Sequence, residues 1–290
     1  CKALSGTLVL PDGLIAIGAN AFYNCAQLTG DLNIPDSVES MGTGVFYNCS
    51  GFTGKLHISE KITKIEDYTF QGCKFTGTLS LPEKVAAIGR SAFAHNAFSG
   101  EVMIPNETKT VGSHAFYYCG NLESVVFGER VESIGGFVFQ GCTGIKTLIF
   151  KGSAPPKIDD FTYFFGSSYG PANLETIYVP AGTYKAYSTA YKAGMSEGVR
   201  IIEEGAEDFI IEGTTLIAYT GNEEKVTIPD GITEIGAGAF HNNKTIKKII
   251  LPEGLTTIGE KAFYNCKALS GTLVLPDGLI AIGANAFYNC

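Results

Sequence analysis

The sequence has no tryptophan, only 3 methionines and 4 histidines, and charged side chains occupy just 17% of its 290 positions. No apolar run reaches the roughly 18 residues of a membrane span, so no membrane insertion is expected. What charge there is sums to −8, which leaves no basic field for nucleic acid. No basic-then-apolar leader opens the chain. It starts at Cys1 inside a repeat, without Met, which reads as a fragment or a mature form. There is no C-x-x-C, no H-E-x-x-H, no phosphate-binding Gly loop with Lys and no EF-hand spacing. Hence no metal, no cofactor and no enzyme activity are expected. The 36 glycines and 45% hydrophobic content point instead to a folded, turn-rich repeat protein.

Phe22, Phe46, Phe70, Phe93, Phe116 and Phe139 recur every 23 or 24 residues, and Phe240, Phe263 and Phe287 resume the beat. A fixed period of this size is the signature of a solenoid. Within each unit a first apolar pair alternates at period 2, from Leu8/Leu10 through Leu32/Ile34, Leu56/Ile58, Leu79/Leu81 and Val102/Ile104 to Val125/Phe127. That alternation predicts a short strand with one side inward. Proline follows in most units (Pro11, Pro35, Pro82, Pro105, Pro229, Pro252, Pro276) and stops the strand, because it cannot donate to a ladder. A second apolar site, Ile17 in the first unit and Ile88 in the fourth, is nearly always followed by Gly, as expected for a tight turn; Glu66 is the exception. Stacked at about 4.8 Å per rung, the Phe residues become a continuous spine.

The motifs IPDGITEIGAGAF (228–240), LPEGLTTIGEKAF (251–263) and LPDGLIAIGANAF (10–22) resemble the bacterial surface leucine-rich repeats of the BspA-like family. The resemblance covers nearly the whole chain. It implies a right-handed repeat solenoid of the α+β class, with 23–24-residue units and short strands on one face. It also implies a secreted or cell-surface location and adhesion to proteins; the expected partner is a protein or glycan ligand, host extracellular matrix included.

The beat breaks between about 151 and 225. Residues 1–150 read as one repeat array. Residues 151–203 read as a degenerate repeat with a helix-containing closing cap, in which Tyr184, Tyr187 and Tyr191 have helical spacing. Residues 204–225 read as a linker and opening hairpin, and 226–290 as a second block. An end therefore precedes a beginning. Placing 206–290 first would restore one ordinary capped array.

The last 25 residues repeat the first 25 letter for letter: CKALSGTLVLPDGLIAIGANAFYNC stands at 1–25 and at 266–290. The other units diverge, so identity marks a window from tandem arrays, a circular permutant with overlapping ends, or a recent duplication. Bare repeat units at both ends offer unpaired strand edges. End-to-end association or exchange of the duplicated segment is the alternative function.

Cys25, Cys49, Cys73, Cys119, Cys142, Cys266 and Cys290 share one repeat position, filled by Asn96 and Asn243 elsewhere. They are expected under a turn, as free thiols meeting backbone polar atoms. Cys1 and Cys290 are the pair that could oxidise between molecules. His57, His95, His114 and His241 hold different repeat positions and are expected to be solvated. Gly166-Ser167-Ser168-Tyr169-Gly170 spells G-x-S-x-G, but without the strand before and helix after that a nucleophile elbow needs. The triplets at Asn48, Asn106 and Asn243 match glycosylation acceptors and carry no weight in a bacterial protein.

Function is thus left to the surface. The candidates are Tyr23, Tyr47 and Tyr117, which follow spine phenylalanines, and Asn33, His57 and Met103, which occupy outward strand positions. The tyrosines equally suit a shielding role over the turn.

Overall fold

Successive residues of an extended segment point to opposite sides, so each edge of a rung can bury one side chain in two. The computed structural model describes residues 3–160, 164–165, 170–196, 199–204 and 208–290. It is a β-solenoid of mostly parallel strands, divided into two compact units, Cys1–Ile202 and Glu203–Cys290.

In the first unit one parallel ladder runs through Gly100–Ile104, Leu122–Phe127, Thr147–Phe150, Thr176–Val179 and Arg200–Glu203. A second runs through Lys64–Ile65, Ala87–Ile88, Thr110–Val111, Ser133–Ile134 and Lys157–Ile158. Strands on a single face were the expectation, and the rung has two ladders instead. The Pro turn (Val85 N–H to Pro82 C=O, 3.1 Å) separates two extended stretches, and each carries its own inward apolar residue. At Leu8/Leu10 and Leu79/Leu81 no strand forms. The pairing there is made by residues just upstream, Ser5–Gly6 with Gln27–Leu28 and Thr76–Gly77 with Ala97–Phe98. Leu79 and Leu81 are buried all the same.

The phenylalanine spine is continuous. Ring centroids from Phe22 to Phe46, Phe70, Phe93, Phe116 and Phe139 are separated by 5.2, 5.8, 5.5, 5.5 and 5.9 Å, all stacked. It extends past the expected break, because Phe164 is buried against Phe139 at 5.7 Å. A second stack, Phe52–Phe75–Phe98, runs beside it at 5.5 and 6.2 Å and meets the spine edge to face. Such offset and T-shaped pairs add to the area that aromatic rings bury.

The glycine after the second apolar site proves to serve close approach rather than a turn. A Cβ on Gly42, Gly89, Gly112 or Gly135 would lie 2.4–2.6 Å from a backbone N of the preceding rung. Gly112→Ala is therefore expected to cost about 1–3 kcal/mol through overpacking against backbone. Denaturant unfolding reads this directly, and an unchanged midpoint would show that the rungs can spread.

Both ladders continue through the irregular stretch, at Lys157–Ile158 and Thr176–Val179, before the helix Tyr184–Tyr191. Its tyrosine stripe faces the core. Tyr187 and Tyr191 are fully buried against Phe150, and their hydroxyls donate to the Gly152 and Pro156 carbonyls at 2.8 and 2.9 Å. Burial raises both phenol pKa values.

The second unit opens with an antiparallel hairpin, Phe209–Glu212 with Thr215–Tyr219, and continues in parallel through Glu234–Ile235, Thr257–Ile258 and Ala281–Ile282. Tyr219 heads its spine, stacked on Phe240 at 5.3 Å, and Phe263 and Phe287 follow at 4.7 and 4.9 Å.

Candidate interaction surface

Two columns of side chains reach the outside of the first unit. One comes from the strand whose inward neighbours are Leu32/Ile34 and their equivalents. Asn33 lies beside His57 in register, and Ser80 and Met103 hold the same place in the next rungs. All four are exposed, Met103 to 60%. Their chemistry changes at every rung while the inward residues stay aliphatic. His57 Nε2 approaches Asp36 Oδ1 at 3.5 Å, both well exposed. The column closes at Val126, which is buried.

The other column follows the spine phenylalanines. Tyr23 stacks flat on Tyr47 at 4.8 Å, and Tyr47 meets Tyr68 edge to face. Tyr117 stands apart from them in a second aromatic group, with His95 and His114 each at 5.2 Å and Tyr118 at 4.6 Å. The six candidates thus fall into three sets: Tyr23 with Tyr47, Tyr117 with its own neighbours, and the strand column of Asn33, His57 and Met103.

Sequence reasoning missed what the flanking positions do. The residues two before and two after each spine Phe adopt left-handed backbone. Several units place Asn or Gly there, as at Asn20, Asn24, Gly44, Asn48 and Gly72. Tyr68, His95, His114, Tyr118 and Phe137 take the same conformation at φ of 56–61°, where bulky side chains are disfavoured. The available signal was a ring at a position that is mostly Asn or Gly, with Ser91 and Lys261 as the other exceptions.

Beneath the turn runs the Cys/Asn column. The thiols of Cys49, Cys73, Cys119, Cys142 and Cys266 each donate to the carbonyl of a spine Phe one rung earlier, at 2.9–3.2 Å. Asn96 donates through Nδ2 to the Phe70 and Phe93 carbonyls and accepts at Oδ1 from the Phe75 N–H. Residues 1–119, 64–195 and 213–290 match the family described as BspA type leucine rich repeat region (6 copies). The chain belongs to the BspA-type leucine-rich repeat family.

Solved structures similar to this BspA-type chain include a leucine-rich repeat protein from Bacteroides ovatus. It is 21% identical, with a TM-score of 0.45, over 96% of this chain and 80% of that one. Another is a leucine rich cell surface protein from Faecalibacterium prausnitzii, 19% identical with a TM-score of 0.43, covering 98% and 78%. No curated protein matches.

Within the BspA-type column, burial disfavours the thiolate at several positions. Burial pushes the Cys119 thiol up to about 12 and that of Cys49 to about 11. Cys290 is exposed, and Cys1 lies outside the described residues. Three histidines depart from the expectation of solvation, because they sit in ring stacks: His95 on Tyr118, His114 on Phe137 and His241 on Tyr264. Burial, and then Lys74 for His95 and Arg90 for His114, lowers the pKa of the first two. Residues 166–169 of the G-x-S-x-G stretch lie outside the described residues. Among the described residues, no cluster of three or more His, Cys, Asp or Glu could hold a metal, and no helix is long and apolar enough to cross a membrane.

Proposed function

We propose that this chain is a non-enzymatic interaction module of a bacterial cell-surface or secreted protein, binding a protein or glycan partner such as host extracellular matrix. The observation that supports the reading is the strand column Asn33–His57–Ser80–Met103. The solenoid brings these side chains to one repeat position, with Asn33 and His57 paired in parallel register, exposes them, and varies them rung by rung over a constant core. A rigid scaffold lowers the ordering cost of binding, and an exposed Met offers an adaptable apolar contact. Membership of the BspA-type family agrees with it.

The test is immobilised matrix proteins and glycans probed with the chain and with an Asn33→Ala, His57→Ala, Met103→Ala triple variant. At least one partner should bind the parent and lose about tenfold or more in affinity to the variant, a difference of roughly 1.4 kcal/mol. No binding by the parent, or equal binding by both, would overturn the reading.

A further inference from the structure

The left-handed positions around the spine phenylalanines are mostly Asn or Gly, the residues that backbone suits. Three successive rungs depart from that together: His95 in one, His114 and Tyr118 in the next, Phe137 in the third, at φ of 56–61°. Strain of this kind persists where the surrounding structure fixes it, and it gathers at functional sites. His114 adds a buried Nδ1 without a hydrogen-bond partner. Packing does not demand the rings. Asn48 covers the place of the missing Cβ of Gly72 in the next rung, just as Tyr118 covers that of Gly141, so the same backbone closes with Asn.

The rings form a corner. Tyr118 stacks on His95 at 5.5 Å and is still 52% exposed. His114 stacks on Phe137 at 5.0 Å. Tyr117 meets both stacks edge-on, 5.2 Å from each imidazole and turned from them by 83° and 60°. Ala94 holds the repeat position of Tyr117 one rung earlier and carries no ring to cover it.

Two cations stand beside this corner. Burial, and then Lys74, lowers the pKa of His95; burial, and then Arg90, lowers that of His114. The imidazoles are therefore neutral at neutral pH and leave the positive charge to Lys74 and Arg90. Both side chains are exposed, and among the described residues neither is held in an ion pair, whereas Lys61, Lys109 and Arg130 of the same unit are. The Asp67 carboxylate one rung earlier accepts from the Arg90 backbone N–H at 2.7 Å. The corner is thus a locally basic, aromatic spot on a chain of net charge −8.

We infer that this corner binds an acidic saccharide, a chain of pyranose rings that carry carboxylates. The C–H face of a pyranose is apolar and slightly positive, which matches the negative face of an aromatic ring. Lys74 meets a carboxylate as a point charge and Arg90 as a fork. The Tyr117 and Tyr118 hydroxyls meet sugar hydroxyls at the rim. An acidic peptide could use the two cations but has no flat C–H face to lay on the rings. The site belongs to the columns around the spine phenylalanines and stands independently of the strand column.

Titration calorimetry of the whole chain with a galacturonic acid tetramer tests this, with a galactose tetramer and a glutamate tetramer as controls. Galacturonate should bind at least about tenfold more tightly than either. Tyr118→Asn should weaken it about tenfold or more while leaving the unfolding midpoint unchanged or higher, because Asn suits the left-handed backbone. Lys74→Gln with Arg90→Gln should reduce galacturonate binding to the level of galactose. The Asn33→Ala, His57→Ala, Met103→Ala variant should bind galacturonate as the parent does, which separates this site from the strand column. Absence of galacturonate binding, or equal affinity for either control, would overturn the proposal. So would a folded Tyr118→Asn or Lys74/Arg90 variant that binds like the parent, or loss of binding in the strand-column variant.

Discussion

Phe93→Ala is expected to destabilise the first unit by about 3–5 kcal/mol, the range for emptying a large buried aromatic site. Phe93 is fully buried, with stacked rings 5.5 Å away on both sides (Phe70 and Phe116) and the Phe98 edge at 6.2 Å. Those neighbours belong to hydrogen-bonded rungs that cannot close onto the space. A repeat array is held by nearest-neighbour contacts, so losing this ring also weakens the coupling between the rungs before and after it. Denaturant unfolding should show a lower midpoint and a broader transition. Tyr23→Ala, at a half-open outer stack, should cost no more than about 1 kcal/mol. A Phe93→Ala loss as small as that would mean the spine is not the core.

Asn96→Ala should come close behind, at roughly 2–5 kcal/mol, because a buried group stripped of its partner costs about 1–3 kcal/mol each. The truncation takes the acceptor from the Phe75 N–H and a donor from the Phe70 carbonyl, both inside the coil. The Phe93 carbonyl fares better, since the Cys119 thiol also reaches it. Asn96→Cys should recover part of the loss. A thiol at this position donates to the spine carbonyl of the rung before, as Cys73 does to Phe46 and Cys119 to Phe93. It offers only a weak acceptor to the Phe75 N–H, so recovery should be incomplete. Thermal or denaturant midpoints of the three proteins decide the matter. If Cys were no better than Ala, the column would be defined by volume and not by hydrogen bonding.

Much of the architecture was legible before any coordinates. A spine phenylalanine recurs at a fixed spacing, and each unit repeats the same inward pattern, so nine weak local signals reinforce one another. The Cys/Asn column was legible for the same reason: two residues that can both reach backbone polar groups alternate at one place. The candidate surface was legible only as a set of outward positions. That Tyr23 and Tyr47 stack while Tyr117 joins His95, His114 and Tyr118 depends on which rings meet across rungs. It also depends on two left-handed positions that a periodic pattern does not reveal.

Period, spine and inward strand residues were properties of the amino-acid order, because each rests on spacing along one chain. Three matters were decided by rung meeting rung. Gly112 is glycine because a neighbouring backbone lies 2.6 Å from its missing Cβ, a distance no single repeat encodes. Phe52, Phe75 and Phe98 form a second stack because equivalent positions superpose when the coil closes. Residues 1–25 and 266–290 share every letter yet bury opposite sides, since burial belongs to what lies next to a rung and not to the rung itself.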